Sequence, residues 1–298
     1  MQRVWQSHWT GGQGRYWVIS LGAIYKEWAM EKKEHESKLS SLLRLLKSYG
    51  SLAVAYSGGV DSTFLVASAK KALGDGVLAI TARSPIHPKD DLNFAKAMAQ
   101  EIGVRHIVVD TEELDDPRFR ENTKERCYHC KRHILQKIAK LAQEQGIRVI
   151  AHGITLDDLK DHRPGIKAAE EMGIVSPLAE AGFTKKELRA HMRNMGLVGW
   201  DKPPSPCLAS RIPYGHEITL EKIGQVRKAE RFLKSLGHRL VRVRNWDGLA
   251  VIELDPSRLK EPLDTNQRNA IVEELKKIGF KAVALDLEGY ETGKLNRF

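Results

Sequence analysis

"SLAVAYSGGVDSTFLVASAKKAL", residues 51–73, decides the fold. Its first seven residues are a short apolar run, as a buried strand requires. Two glycines follow, and then a stretch with helical spacing that puts Phe64, Leu65 and Ala69 on one face. The glycines let the backbone turn tightly between strand and helix, bringing amide groups close to whatever sits there. The helix start adds partial positive charge, so the junction suits an anion. Ser57 and Ser62 add hydroxyl donors for phosphate oxygens, and Gly58, Gly59 and Asp61 lie between them. The Lys-Ser/Thr ending and longer spacing of a Walker loop are absent. An ordinary strand-to-helix turn capped by Asp61 is the plainer alternative.

The same alternation continues outward. "GVLAITA" (76–82) predicts a strand, "DDLNFAKAMAQEIG" (90–103) a helix and "VRHIVVD" (104–110) a strand. "CYHCKRHILQKIAKLAQEQG" (127–146) then predicts a helix and "IRVIAHG" (147–153) a fourth strand. Strands alternating with helices imply an α/β fold with a doubly wound parallel sheet, whose ligands sit outside the carboxyl ends of the strands. "TKKELRAHMRNMG" (184–196) is another helix. The four prolines of "WDKPPSPCLASRIPYG" (200–215) forbid regular structure and suggest a boundary just after it. Beyond lies a helix–strand–strand–helix–strand pattern with the turn "NWDG", a small C-terminal α+β unit. The expected organisation is a peripheral extension over residues 1–29, a nucleotide domain over 30–215, and a substrate or oligomerisation domain over 216–298.

The 298 residues carry 48 Lys and Arg against 38 Asp and Glu, a net charge of +10. That excess favours an anionic partner, either a small phosphorylated molecule or RNA. The apolar run "YWVISLGAIY" (16–25) is too short to cross a bilayer, and no small-residue cleavage site follows it, so neither a membrane span nor a leader is expected. Met30 is a plausible alternative start. Three cysteines cannot all pair within the chain, which points to a reducing cytoplasm.

Those cysteines are Cys127 and Cys130 in "RCYHCK" (126–131) and Cys207 in "SPCLASR". A helix start lowers a thiol pKa, so the Cys-x-x-Cys pair is expected to favour thiolate. Three chemistries remain open: zinc with His129 or His133 as the fourth ligand, a redox disulfide from two of the three, or a [4Fe–4S] cluster that leaves one iron open. Small apolar filling is the plainer reading for Cys127 and Cys130.

The Ser-Gly-Gly-Val-Asp-Ser string resembles the pyrophosphate loop of the N-type ATP pyrophosphatases, a superfamily that includes NAD and GMP synthetases and tRNA-thiolating enzymes. Its members cleave ATP to AMP and pyrophosphate through an adenylate, with Mg²⁺. "AYSGGVDSTFLV", "RCYHCK", "GITLDDLKDHRPGIKAAEEMGIVSPL", "KPPSPCLASRIPYG" and "ALDLEGYETGKLN" resemble more closely the LarE sulfur transferases of nickel-pincer nucleotide biosynthesis, from about Leu39 to Asn296. That resemblance implies adenylation of a carboxylate of pyridinium-3,5-biscarboxylate mononucleotide and its conversion to a thiocarboxylate. Cys207 matches the sulfur-carrying position, which single-cysteine members sacrifice to dehydroalanine. With Cys127 and Cys130 the chain looks like the three-cysteine subtype, in which a cluster carries sulfur supplied by sulfide or another donor.

The resemblance also implies ATP contacts from Gly153, Asp157, Asp161 and Arg163, with Asp158 fitting the same pattern. Where family members carry Gly-Thr-Asn this chain has Gly153, Ile154 and Thr155, so polar contacts from the last two positions are not carried over. Arg211 would hold the adenylate phosphate or the second carboxylate. Arg242 and Arg244, alternating on a strand and so sharing a face, would clamp the substrate phosphate. Glu230 would lie near substrate and metal. A homo-oligomer is expected. A tRNA-thiolating enzyme is the rival, but the C-terminal unit has few aromatics among its basic residues, so nucleic acid is the less favoured partner.

Overall fold

A computed structural model describes residues 37–160, 164–261, 264–291 and 293–294. Helical residues 37–48 (α1) lead into β1 (Leu52–Ala55), α2 (Val60–Leu73), β2 (Val77–Arg83), α3 (Lys89–Ile102) and β3 (Arg105–Asp110). Next come α4 (Pro117–Arg120), α5 (Arg126–Glu144) and β4 (Ile150–His152). Four helices follow: α6 (Leu156–Leu159), α7 (Pro164–Glu171), α8 (Pro177–Glu180) and α9 (Lys185–Asn194). The expected extension over residues 1–29, Met30, and the expected ATP contacts Asp161 and Arg163 lie outside the described residues.

The first sheet has the order β3-β2-β1-β4 with every pair parallel. The alternation read from the sequence produces it because each apolar strand needs cover on both faces. Leu52, Val54, Val77 and Ala79 face a core built with Leu42 and Leu46 of α1, Phe64 of α2, Met98 of α3 and Leu188 of α9. Ala53, Leu78, Ile80 and Ile150 face the other way, against Leu135, Ile138 and Ala142 of α5 and Ala169 of α7. The chain leaves β1 between its two neighbours, so the loop after β1 stands where the strand order reverses, the place where open α/β sheets bind ligands.

The C-terminal part contains α10 (Leu220–Ser235), β5 (Val241–Trp246), β6 (Leu249–Leu254), α11 (Thr265–Ile278) and β7 (Ala282–Leu285). Its sheet is mixed: β5 pairs antiparallel with β6, and β6 parallel with β7. Asp247 and Gly248 both take positive φ at the hairpin turn, as a tight two-residue connection demands. A further cluster packs Ile86, in the loop after β2, and Phe119 of α4 against Leu208, Ala209 and Ile212, and against Ile218, Ile223 and Val226. The expected boundary at 215/216 falls inside this shared cluster, in which the later part of the proline-rich segment, residues 208–213, is largely buried. Among the described residues, no helix is long and apolar enough to cross a membrane.

Candidate active site

The loop after β1 is closed on itself by its own hydroxyls. Ser57 and Ser62 are joined through their Oγ atoms at 3.2 Å, the Gly59 amide donates to Ser57 Oγ at 3.3 Å, and Ser62 Oγ donates to the Gly59 carbonyl at 3.1 Å. Helix α2 begins at Val60 with Gly59 at the cap position and no side-chain cap bond. Asp61 therefore stands inside the first turn, not at the cap that the plainer alternative required. Gly58 has φ +71°, and a Cβ there would lie 2.9 Å from both the Asp91 carbonyl oxygen and Ala95 Cβ, so no other residue fits this turn unstrained. Gly153, after β4, approaches the same place: its Cβ would come within 2.8 Å of the Ser62 amide nitrogen. The loops after β1 and β4 thus meet at the first turn of α2.

The acidic residues after Gly153 turn elsewhere. Asp157 accepts from the Lys185 amide at 2.7 Å, at the start of α9. Asp158 is buried, closes a capping box with Thr155 and meets Lys185 Nζ at 2.7 Å. Thr155, a departure from the family pattern, thus caps α6. His152, at the end of β4, bonds the Ser176 hydroxyl through Nε2 at 2.7 Å. Burial first, and the nearby Lys131 charge second, push its pKa down to about 3. The unfolded chain takes up that proton near pH 6.5. Stability from this group is therefore complete above pH 6.5 and lost as pH falls toward 3, by on the order of a few kcal/mol. Chemical denaturation at pH 7, 5 and 4 should show this decline, and His152→Gln, which keeps a donor for Ser176, should flatten it.

The three cysteines converge from two distant segments. Cys127 and Cys130 lie in the first turns of α5, while Cys207 precedes a 3₁₀ turn, Leu208–Arg211. The Leu208 amide donates to the Ile86 carbonyl at 2.8 Å, which brings that segment to the carboxyl edge of the sheet. Cys130 and Cys207 pack into one apolar cluster; Cys130 feels the charge of Cys207 and Cys127, and Cys207 that of Cys127. Burial raises the Cys130 pKa well above the ordinary thiol value, with Cys207 adding to it, and burial raises Cys207 as well. The lowered thiol pKa expected from the helix start is therefore reversed at Cys130. A helix terminus supplies about 0.3–1 kcal/mol, under one pKa unit, whereas burial can supply several units.

His129 and His133, the candidate fourth zinc ligands, line a separate cavity with Asp116, Arg118, Arg132 and Gln136, and with no cysteine. Among the described residues, no group of three His, Cys, Asp or Glu side chains is placed to hold a metal ion.

Lys131, which the sequence reading passed over, enters the site directly behind Cys130. Burial lowers its pKa, opposed by the Cys130 charge, and its own charge bears on His152 and His87. The available signal was its spacing: four residues after Cys127, it lies on the same helix face.

Behind Cys207 stands a network of arginines. Arg211 and Glu230 form a bidentate pair at 2.7 and 3.1 Å, with both side chains buried. The remaining Arg211 nitrogen, Nη1, donates to the carbonyls of Pro206 and Cys207 and to Ser210 Oγ. Arg244 is bidentate to Glu253 at 2.7 Å and reaches the Ser210 carbonyl at 2.6 Å. Both arginines, expected as substrate contacts, hold the backbone around Cys207 in place. Arg242 differs: it is buried, lies 5.0 Å over the Tyr290 ring, and donates to the Val241 carbonyl. Burial and the neighbouring Arg211 charge lower its pKa. Strand β5 is buried through Asn245, so the alternating arginines face protein, not solvent. On the other flank, Asn122 donates to the carbonyls of Pro213 and His216, and Arg126 to Asn122 Oδ1, pinning residues 212–216 to the start of α5.

Residues 40–159 match the family model for asparagine synthase. The chain is 44% identical over 262 residues to an uncharacterized protein of Synechocystis sp., covering 88% of this chain and 98% of that one. It is 35% identical over 261 residues to the pyridinium-3,5-bisthiocarboxylic acid mononucleotide synthase of Lactiplantibacillus plantarum, covering 87% and 94%. An uncharacterized protein of Methanocaldococcus jannaschii is 29% identical over 241 residues, covering 81% and 91%. With a Ser-Gly-Gly-Val-Asp-Ser loop at the switch point of a parallel sheet and a relative that spans both parts of the chain, this is an ATP-dependent enzyme of the PP-loop ATP pyrophosphatase superfamily, and it belongs to the LarE-like sulfurtransferase family.

Proposed function

We propose that the enzyme adenylates a carboxylate of pyridinium-3,5-biscarboxylate mononucleotide and converts it to a thiocarboxylate. The observation that carries this reading is the arrival of Cys207, on a braced segment, beside the carboxyl edge that bears the Ser57–Ser62 loop. A carboxylate oxygen is a poor leaving group, and transfer of AMP to it makes a good one. The substrate oxygen attacks the α-phosphorus, and the bond to pyrophosphate breaks. The loop amides, the Ser57 and Ser62 hydroxyls and the start of α2 face the charge that develops there. Gly153 keeps the opposite wall thin enough for the nucleotide, and Asp61 is the loop carboxylate that would hold Mg²⁺. Arg242, with no carboxylate partner of its own among the described residues, is the guanidinium for the substrate phosphate. Lys131 faces the acyl phosphate from the cysteine side.

In the second step sulfur attacks the acyl carbon, a C–S bond forms, and the C–O bond to AMP breaks. Cys127, Cys130 and Cys207 have the donor chemistry of a [4Fe–4S] cluster and would hold it at the edge of an apolar cluster that Cys130 and Cys207 already touch; binding would draw the three thiols closer than they stand, since among the described residues no three such side chains are placed to grip a metal ion. When bound, the cluster supplies an open iron that binds hydrosulfide. The chain's own part is to position that sulfur, exclude water, and keep Cys207 in register through Arg211 and Arg244. Because burial raises the Cys130 and Cys207 pKa values, assembly at neutral pH releases protons.

Anaerobic purification with iron and sulfide analysis, followed by mass spectrometry of Cys207 after many turnovers, tests this reading. An intact Cys207 and stoichiometric iron are expected. Loss of 34 Da from Cys207 after one turnover, roughly the mass of H₂S, would assign the sacrificial route instead. Cys207→Ser should retain AMP formation and lose thiocarboxylate entirely.

A further inference from the structure

The segment that brings Cys207 to the site is fastened at both ends, and one fastening is the phosphate loop itself. Lys202 Nζ donates to the Gly58 carbonyl at 3.2 Å, pairs with Asp91 at 2.9 Å, and lies 4.2 Å over the Phe94 ring. Arg189 holds the backbone around it, donating to the Trp200 carbonyl at 2.6 Å and the Lys202 carbonyl at 2.9 Å. Gly199, with φ +83°, is pressed so closely on Phe94 that a Cβ would lie 2.4 Å from its Cζ. At the far end Arg211 grips the Pro206 and Cys207 carbonyls, and the Leu208 amide bonds Ile86. Between these anchors residues 203–206 are exposed. Three of those four are proline, and each X-Pro step also restricts the residue before it. A link of this composition is a semi-rigid spacer, so displacement at one end is transmitted rather than absorbed.

Resting on the function proposed above, we infer that Lys202 is a positioning residue that couples phosphate occupancy of the Ser57–Ser62 loop to the placement of Cys207. Its ammonium touches the loop through a carbonyl of Gly58, the residue whose conformation shapes the anion cradle. Pyrophosphate entering that cradle competes with Asp91 and the Gly58 carbonyl for the ammonium, and the proline link carries the change to Cys207. The sulfur site is thereby set when the nucleotide is present.

The test measures Cys207 alkylation by iodoacetamide, read by peptide mass spectrometry with Cys127 as the internal reference, with and without saturating Mg²⁺–pyrophosphate or Mg²⁺–ATP. Calorimetry on the same samples establishes binding. In the wild type the ligand should change the Cys207 rate by about fivefold or more, the lower end of ordinary coupling. Lys202→Met should bring the ratio close to one, and Lys202→Arg should restore most of it. A second variant, with Pro203, Pro204 and Pro206 all replaced by glycine, leaves Lys202 and the loop intact. It should bind ATP with near-normal affinity and lose the response. A wild-type protein that binds ATP with no change at Cys207 overturns the coupling and leaves the proposed function standing. A response that persists in Lys202→Met or in the glycine link, as simple shielding by ATP would give, also overturns it. A wild-type protein that binds neither ATP nor pyrophosphate removes the loop reading and the coupling together.

Discussion

Gly58→Ala should lower AMP formation by roughly 10²-fold or more, the scale of losing a preorganised anion donor. The new methyl would sit 2.9 Å from the Asp91 carbonyl oxygen, a backbone atom that has no flexible side chain to move aside. The residue would also have to hold φ near +71°, which costs an L-residue about 1–2 kcal/mol. Either the turn opens or α3 retreats, and in both cases the amides that face pyrophosphate lose their aim. Pyrophosphate release measured beside thermal unfolding checks this. A melting temperature lowered by a few degrees together with near-total loss of product is the expected pair. Wild-type release by Gly58→Ala would remove the loop from the nucleotide site. Gly50→Ala serves as the control: it shares the positive φ, at +70°, but its Cβ would meet nothing within 4 Å, so it should change stability alone.

Glu230→Ala should be the most destabilising single change in the C-terminal part, by about 3–5 kcal/mol, because it strands a buried guanidinium. Arg211 and Glu230 are 3% and 4% exposed, and Glu230 Oε1 also accepts from the Val243 amide at 3.2 Å. Removing the carboxylate leaves Arg211 beside Arg242, whose pKa the Arg211 charge already depresses. Arg211 would then turn outward and release the Pro206 and Cys207 carbonyls. The functional readout is the Cys207 alkylation rate, which should rise severalfold in Glu230→Ala at a temperature where the protein remains folded. Arg211→Met with Glu230→Leu removes both charges together and should recover most of the stability, since paired buried charges are replaceable by apolar groups of similar volume. It should not recover the ordered Cys207 segment. Stability restored without sulfur transfer separates the two roles of the pair; sulfur transfer restored in the double variant would show that Arg211 does not position Cys207.

What the sequence determined by itself was local or periodic. Residues 51–73 read as strand, anion loop and helix because a buried run, two glycines and an apolar stripe each act within a few residues. The prolines of 200–215 excluded regular structure for the same reason, and the alternation of strands and helices left a parallel sheet as the way to cover two apolar faces. Only the tertiary structure decided where the charged side chains went. Arg211 finds Glu230, 19 residues away, Lys202 finds Gly58, 144 residues away, and Arg244 finds the Ser210 carbonyl, 34 residues away, so two arginines read as substrate contacts also brace the backbone around Cys207. Asp157 was drawn to the Lys185 amide by the packing of α6 on its neighbours. Burial, not helix position, set the thiols of Cys130 and Cys207. The physical reason is common to all of these: desolvation and long-range hydrogen bonding outweigh any local propensity, and both depend on which distant segments fold against a residue, a property that no spacing along the chain records.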